Sequence, residues 1–175
     1  MMASALLVYF SRPGENYYDG GRRDLAVGNT QVVAEHIASV IRADVHRLEA
    51  ADPYPAGYDA TVERNVIEQE SEARPSIAGA MPVTTGYTAV LLGCPIWNLR
   101  APRLMGTFLE SVDLDGATIL PFTTHAMSGL GRVEEEYAAW CPGATVRAGL
   151  AVRGEQAAGS RAAVEAWLRR NGLAV

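Results

Sequence analysis

The sequence predicts an α/β fold in which a parallel sheet is covered by helices on both faces. Apolar runs of strand length alternate with segments of helical periodicity, and continuous apolar runs are typical of strands that are buried on both faces. The 175 residues, of which 49% are hydrophobic and 20% charged, are enough for a compact domain with a sizeable core. We therefore expect residues 1–175 to form a single domain.

The predicted elements follow one another in a regular order. Each apolar run predicts a strand, and each following stretch of helical period predicts a helix. The predicted strands are 5–10, 45–48, 87–94, 118–124 and 145–152, and the predicted helices are 30–42, 59–72, 101–111, 131–140 and 160–170.

Several local signals add detail to this pattern. The turn signal Asp19-Gly20-Gly21 predicts a small hairpin before the first helix, and the mixed second strand suits a sheet edge. Pro121 lacks an N–H donor, which conflicts with an internal strand, but the residues around it favour one. Glu68 and Glu72 are expected on a solvated helix face, and the run Glu134-Glu135-Glu136 is expected to complement a helix dipole.

Composition argues against several classes of function. The formal net charge of -5 argues against a nucleic-acid partner. No apolar stretch has the length of a membrane span or the pattern of a signal peptide, so we expect a cytoplasmic protein without a membrane partner. The two cysteines form no C-x-x-C motif, no spacing suggests a metal site, and Cys94 is expected to be an inert buried thiol.

The segment Gly28-Asn29-Thr30 lies where the first long helix begins. A glycine, an amide and a hydroxyl at a helix start leave backbone N–H groups free, and these groups together with the helix dipole can hold a phosphate. No lysine accompanies them, unlike a nucleotide triphosphate site. The alternative is a plain helix N-cap.

Three loops follow the carboxyl ends of predicted strands, where ligands bind in a doubly wound sheet. The loop 11–30 offers phosphate donors, the loop 95–100 offers Trp97, and the loop 123–129 offers hydroxyls and His125. A ligand with a phosphate at one end and a planar heterocycle at the other fits all three loops. The alternatives are that Trp97 is ordinary core and that His125 only satisfies backbone groups.

Four short motifs occur in order at these strand ends, and together they resemble the flavodoxin-like family. The closest likeness is to a bacterial FMN-binding subgroup, here with an insertion in the phosphate loop. The resemblance implies a three-layer α/β/α sandwich with a five-stranded parallel sheet of order 2-1-3-4-5, and FMN as cofactor. The motifs are Tyr9-Phe10-Ser11, Gly28-Asn29-Thr30, Pro95-Ile96-Trp97 and Thr124-His125-Ala126-Met127-Ser128-Gly129.

The same resemblance implies roles for individual residues. A first group of residues would hold the phosphate. A second group would line one side of the isoalloxazine ring, and a third would border its other side and its pyrimidine edge. His125 is also the candidate catalytic residue. The groups are Ser11, Arg12, Gly28, Asn29 and Thr30 for the phosphate, Pro95, Ile96, Trp97 and Asn98 for one side of the ring, and Thr124, His125, Ser128 and Gly129 for the other.

Three functions remain open at this stage. The first is electron transfer to a redox partner protein, favoured because no nicotinamide-binding signature is present. The second is a small FMN-dependent NAD(P)H:quinone-type reductase. Trp97 is the single aromatic wall in this interpretation, so one face of the flavin is left open to a quinone-like acceptor. Arg100 and His125 would then stabilise the negative charge that develops. The third is a flavin-free phosphate-binding or protein-interaction module, suggested by Asn98 and Ala126-Met127.

Overall fold

The computed structural model describes residues 5–175 and places them in a three-layer α/β/α sandwich. Residues 1–4, which belong to the segment tested for a signal peptide, lie outside the described residues. The strands of the described part are β1 (Ala5–Phe10), β2 (Gly14–Tyr18), β3 (Gly21–Leu25), β4 (Asp44–Leu48), β5 (Ala89–Pro95), β6 (Thr118–His125), β7 (Thr145–Val146) and β8 (Leu150–Arg153). The helices are α1 (Asn29–Val40), α2 (Tyr58–Glu70), α3 (Arg103–Ser111), α4 (Val133–Trp140) and α5 (Arg161–Arg170), with a 3₁₀ helix at Gly154–Gly159.

The central sheet has the order β4-β1-β5-β6, and both β7 and β8 pair with β6 on its far side. The pairings of this sheet are parallel. With β7 and β8 counted as the two halves of the fifth strand, this is the predicted order 2-1-3-4-5. The flavodoxin-like fold class is therefore confirmed, and the mixed strand β4 lies at the predicted sheet edge.

Alternate residues of β1 point into two apolar clusters, one on each face of the sheet. Leu6 and Val8 pack with α3 and α4, whereas Leu7 packs with α1 and α5. Cys94 is fully buried in the first cluster, where the Tyr137 hydroxyl donates to its Sγ at 3.3 Å. Burial raises the pKa of Cys94 to about 12, as suits the inert thiol predicted from the sequence.

The fifth strand is interrupted opposite Pro121. The carbonyl of Ile119 accepts from the N–H of Arg147, so it faces the fifth strand. Backbone groups alternate in direction along a strand, so the nitrogen of Pro121, two residues later, faces the fifth strand too. That nitrogen has no hydrogen to donate. The ladder stops after β7 and resumes at β8, whose Leu150 pairs with Phe122. The single strand predicted for 145–152 is therefore two short ones, while β6 itself keeps its internal position.

The predicted hairpin is present as β2 and β3, which pair antiparallel. Asp19 and Gly20 have φ values of 52° and 77°, as a two-residue turn of the hairpin type requires. Arg22 of β3 forms two hydrogen bonds, of 3.0 and 2.8 Å, with the carboxylate of Asp59, and Glu15 of β2 accepts from the N–H of Tyr58 at 2.9 Å. The hairpin is thus attached to the start of α2.

The face that helix α2 buries is not the one that the sequence predicted. Its buried residues are polar, and none of its residues belongs to the two apolar clusters. Glu68, which the sequence placed on a solvated face, is 8% exposed and accepts hydrogen bonds from Tyr54 and Arg64, whereas Glu72 is exposed as predicted. The expectation was wrong for Glu68 because helical periodicity in a polar segment does not reveal which polar side chains find partners.

The described residues contain neither a membrane-spanning helix nor a cluster of metal-binding side chains. Within residues 5–175, no helix has both the length and the apolar character needed to cross a membrane. Among these same residues, no group of His, Cys, Asp and Glu side chains is arranged to hold a metal ion.

Candidate functional site

A cleft of about 350 Å³ lies at the carboxyl ends of β5 and β6, next to the start of α1 and beneath the hairpin and α2. This is the edge at which ligands bind in sheets of this kind. Most of the residues predicted to form the site line this cleft together. They are Arg12, Asn29, Thr30, Pro95, Ile96, Trp97, Asn98, Thr124 and His125.

One end of the cleft is formed by the first turn of α1. Within residues 5–175, the backbone N–H groups of Asn29 and Thr30 have no hydrogen-bond partner. The next N–H, of Gln31, donates to Ser11 Oγ at 3.1 Å. Two donors at the positive end of the helix dipole therefore remain available for an anion.

Ser11 and Gly28 do not line the cleft but build this end of it. Ser11 is buried and serves as an acceptor for the helix N-terminus. Gly28 packs so closely against Ser11 Oγ and the carbonyl of Arg12 that a side chain at this position would overlap both. The glycine is thus explained by close packing, since its φ of −65° is open to any residue.

Arg12 lines the cleft, but most of its guanidinium is already hydrogen-bonded. Its terminal nitrogens donate to the carbonyls of Pro13, Pro55 and Ala56 at 3.0–3.2 Å, and also to the carbonyl of Glu15. Its Nε is buried and has no partner among the described residues. Arg12 therefore ties the hairpin to the loop before α2 while placing a positive charge beside the cleft.

The loop that carries Trp97 is a tight turn. Trp97 and Arg100 exchange two backbone hydrogen bonds, and the two residues between them, Asn98 and Leu99, have φ values of 49° and 65°. Gln69 of α2 donates to the carbonyl of Trp97 at 2.9 Å and accepts from the Asn98 side chain at the same distance. The indole packs edge-on against two rings, with centroid distances of 5.6 Å to Phe10 and 4.9 Å to Tyr54.

Two expectations about charged residues near this loop need correction. Glu136 is only 5% exposed, and its carboxylate accepts from Arg100 Nε at 2.5 Å and from the N–H of Ala101 at 2.9 Å. It anchors the end of the Trp97 loop and is not simply a dipole-complementing surface charge. Arg100 is paired with it and does not line the cleft, so it is not placed to stabilise charge on a ligand there.

The third loop contributes less to the cleft than predicted. His125 lines it, and the Nδ1 of its ring is buried without a partner among the described residues. Burial, together with the positive charge of Arg153, lowers the pKa of His125. Ser128 is exposed and Gly129 accepts from the Thr123 hydroxyl, and neither residue lines the cleft.

Several lining residues were missed at the sequence level. The prediction of one aromatic wall was incomplete, because Tyr17 of the hairpin and Tyr58 of α2 line the cleft with ring centroids 6.5 Å apart. The apolar stripe Tyr58, Val62 and Val66, at four-residue spacing on a polar helix, was the signal that could have found α2. The remaining lining residues that were missed are Asn16, Thr61, Asn65 and Gly154, whereas Ala126 lines the cleft as its motif indicated.

Comparison with known proteins identifies the family. A sequence model described as flavodoxin matches residues 24–171. The chain belongs to the flavodoxin family. No curated protein sequence matches this flavodoxin-family chain.

Solved structures support the same assignment for this flavodoxin-family protein. A protein of Bacteroides uniformis ATCC 8492 described as a flavoprotein is 27% identical, with 94% of this chain and 97% of that one covered and a TM-score of 0.76. Another, from Bacteroides eggerthii DSM 20697, is 25% identical, with 97% and 98% covered and a TM-score of 0.77. A flavoprotein of Lactobacillus acidophilus NCFM in complex with FMN shares the fold at 17% identity, with 95% and 99% covered and a TM-score of 0.65.

The chemistry of the cleft in this flavodoxin-family protein matches the groups of FMN. The free N–H groups of Asn29 and Thr30 suit a phosphate, and Arg12 adds a positive charge at the same end. Trp97, Tyr17 and Tyr58 offer the large flat surfaces that a planar ring system requires. The unpartnered Nδ1 of His125 offers a polar contact for a ring edge.

Proposed function

We propose that this protein binds FMN in the cleft and acts in electron transfer. The observation that carries the proposal is the pair of free N–H groups of Asn29 and Thr30, at one end of a cleft that is also lined by the aromatic rings of Tyr17, Tyr58 and Trp97. Such a combination suits a ligand with an anionic tail and a planar head. The likeness to structures described as flavoproteins supports flavin as that head.

The phosphate end is proposed to work mainly through backbone and hydroxyl donors, with one arginine beside them. The Asn29 and Thr30 N–H groups would donate to phosphate oxygens, and the Thr30 hydroxyl would add a third contact. Ser11 and Gly28 would act indirectly, by fixing where the helix begins. Arg12 would contribute its charge and its remaining Nε.

The ring end is proposed to control how easily the flavin is reduced. When bound, FMN supplies the capacity to take up and release electrons. Arg12 is the only lysine or arginine among the described residues that line the cleft, and the lowered pKa of His125 favours its neutral form. Negative charge that develops on the ring therefore finds little compensation, which lowers the potential of the last electron step.

The size of the cleft favours electron transfer over direct quinone reduction. At about 350 Å³ it lies at the lower end of the range for ligand pockets, and residues of α2 and the hairpin line the side that the sequence suggested was open. A second planar molecule would have to displace Tyr17 or Tyr58 to stack on a bound ring. Electrons can still pass to a redox partner protein without such displacement.

Flavin titration tests the proposal. Flavin-free protein should quench FMN fluorescence with a 1:1 endpoint, and the complex should consume NAD(P)H slowly with a quinone unless a separate reductase is added. Rapid NAD(P)H oxidation by the protein alone would favour the reductase instead. Unchanged fluorescence at excess FMN would refute flavin binding and favour the phosphate-binding or interaction module.

A further inference from the structure

Four polar residues on α2 are buried, and they differ in whether their side chains are fully hydrogen-bonded within the protein. The Thr61 hydroxyl donates to the carbonyls of Pro55 and Gly57. Glu68 accepts from Tyr54 and Arg64, and Gln69 bonds to the Trp97 loop. These three side chains are thus partnered within the protein, and their burial needs no ligand to explain it.

Asn65 is the exception. It is 3% exposed and lines the cleft, and its Oδ1 is buried without a hydrogen-bond partner among the described residues. Buried polar atoms in proteins are nearly always hydrogen-bonded, and leaving one unpaired is unfavourable. Because the Asn65 side chain lines the cleft, a ligand bound there can supply the missing partner.

The position of Asn65 along α2 indicates which part of a ligand it would meet. The helix runs the length of the cleft, from Tyr58 beside the hairpin to Gln69 beside the Trp97 loop. Asn65 lies four residues, about 6 Å along the helix axis, before Gln69, with Val62 and Val66 on either side of it on the lining face. It is a polar group within an apolar wall, close to the loop proposed to hold the ring.

We infer that Asn65 recognises the isoalloxazine ring by hydrogen-bonding to a polar atom on its edge, an inference that rests on the proposed binding of FMN. A carboxamide carries an acceptor and a donor side by side, so it can meet either an N–H or a carbonyl of the ring after a half-turn of its amide. Asn65 is in this way a specificity residue for the ring, independent of the phosphate.

Riboflavin, which lacks the phosphate, is the probe for this contact. Asn65→Leu keeps the branching and the number of heavy atoms of the side chain and removes its polar atoms. Its dissociation constants for riboflavin and for FMN should both rise, by the same factor of at least about five. The melting temperature of its flavin-free form should be unchanged or higher, because the variant no longer buries an unpaired acceptor.

Asn171→Leu, the same substitution just after α5, is the matched control. Asn171 does not line the cleft and donates a hydrogen bond to the carbonyl of Trp167, so the flavin-free variant should melt at a lower temperature while its riboflavin affinity stays within about twofold of wild type. Should Asn65→Leu fail to fold, Asn65→Ala takes its place in the riboflavin titration.

The outcomes separate this inference from the proposed function. Wild-type protein that binds neither FMN nor riboflavin would overturn both. Wild-type protein that binds both, with Asn65 variants of equal riboflavin affinity, would overturn only the role of Asn65. A loss confined to FMN would also overturn it, because the contact would then be to the phosphate end.

Discussion

The hydroxyl oxygens of Thr30 and Thr124 lie 2.7 Å apart in the protein interior. This contact joins the first turn of α1 to the end of the internal strand β6, and both residues line the cleft. One hydroxyl donates to the other, so when Thr124 is the donor the hydroxyl hydrogen of Thr30 is free to point at a ligand. The phosphate end and the ring end of the proposed site are therefore linked by a single buried hydrogen bond.

Thr30→Val should weaken FMN binding by about tenfold or more while changing riboflavin binding little, because only FMN offers a phosphate to the lost hydroxyl. The variant should also lose about 1–3 kcal/mol of stability, since the Thr124 hydroxyl is left buried and unpaired. Parallel fluorescence titrations with the two flavins measure the difference. Thr124→Val breaks the same hydrogen bond and is the control, and its ratio of FMN to riboflavin affinity should match that of wild type. Equal losses of both flavins in Thr30→Val would remove Thr30 from the phosphate site.

Trp97→Ala should weaken riboflavin and FMN binding by at least about 1 kcal/mol, through the loss of an aromatic contact with the ring. It should also lower stability, because Phe10 and Tyr54 pack edge-on against the indole. Trp140→Ala separates the loss of flavin affinity from the loss of stability. Trp140 packs with Arg74 and Arg103 and does not line the cleft, so this variant should lose stability and keep its flavin affinity. An unchanged dissociation constant in folded Trp97→Ala would exclude Trp97 from the ring site.

Glu136→Gln should destabilise the protein by about 1–3 kcal/mol, because Arg100 and the buried Arg103 lose the charge that faces them. Urea unfolding measures the change. Glu135→Gln, one residue earlier, removes an exposed pair with Arg132 and should leave the urea midpoint unaltered. A midpoint for Glu136→Gln equal to that of wild type would mean that Glu136 does not anchor the Trp97 loop.

His125 should make the flavin-free protein less stable as the pH falls from about 7 to 5. Burial and Arg153 lower its pKa in the folded state below the ordinary value of 6.5, so the unfolded chain takes up the proton first and unfolding becomes more favourable in acid. The effect is modest because the ring is partly exposed. The melting temperature of wild type, measured relative to that of His125→Gln, should fall as the pH is lowered across this range. Parallel curves for the two proteins would contradict the lowered pKa.

The fold could be predicted because its strands are apolar on both faces. The run 5–10 has no polar residue, and its alternate side chains enter two separate clusters. The hairpin was also predictable, since Asp19 and Gly20 adopt the positive φ values that their residue types favour. Pro121 indicates where the fifth strand breaks, but only once β6 is known to pair with a strand on each side.

The α2 wall of the cleft was not predictable from periodicity alone. Its buried side chains, among them Thr61 and Gln69, are hydrogen-bonded to residues from 4 to 29 positions away in the chain. A hydrophobicity pattern records burial in an apolar core and not burial through polar partners. For the same reason the pairing of Glu136 with Arg100, 36 positions apart, could not be distinguished from a surface charge.

The most direct measurement of the central claim is the response of two backbone amides to FMN. In ¹H–¹⁵N correlation spectra of the flavin-free protein, the Asn29 and Thr30 N–H signals should move downfield on addition of FMN, because both donate to a phosphate. Riboflavin should shift signals near Trp97 but should not move the Asn29 and Thr30 signals downfield. Saturating FMN that moves neither the Asn29 nor the Thr30 amide would contradict the account.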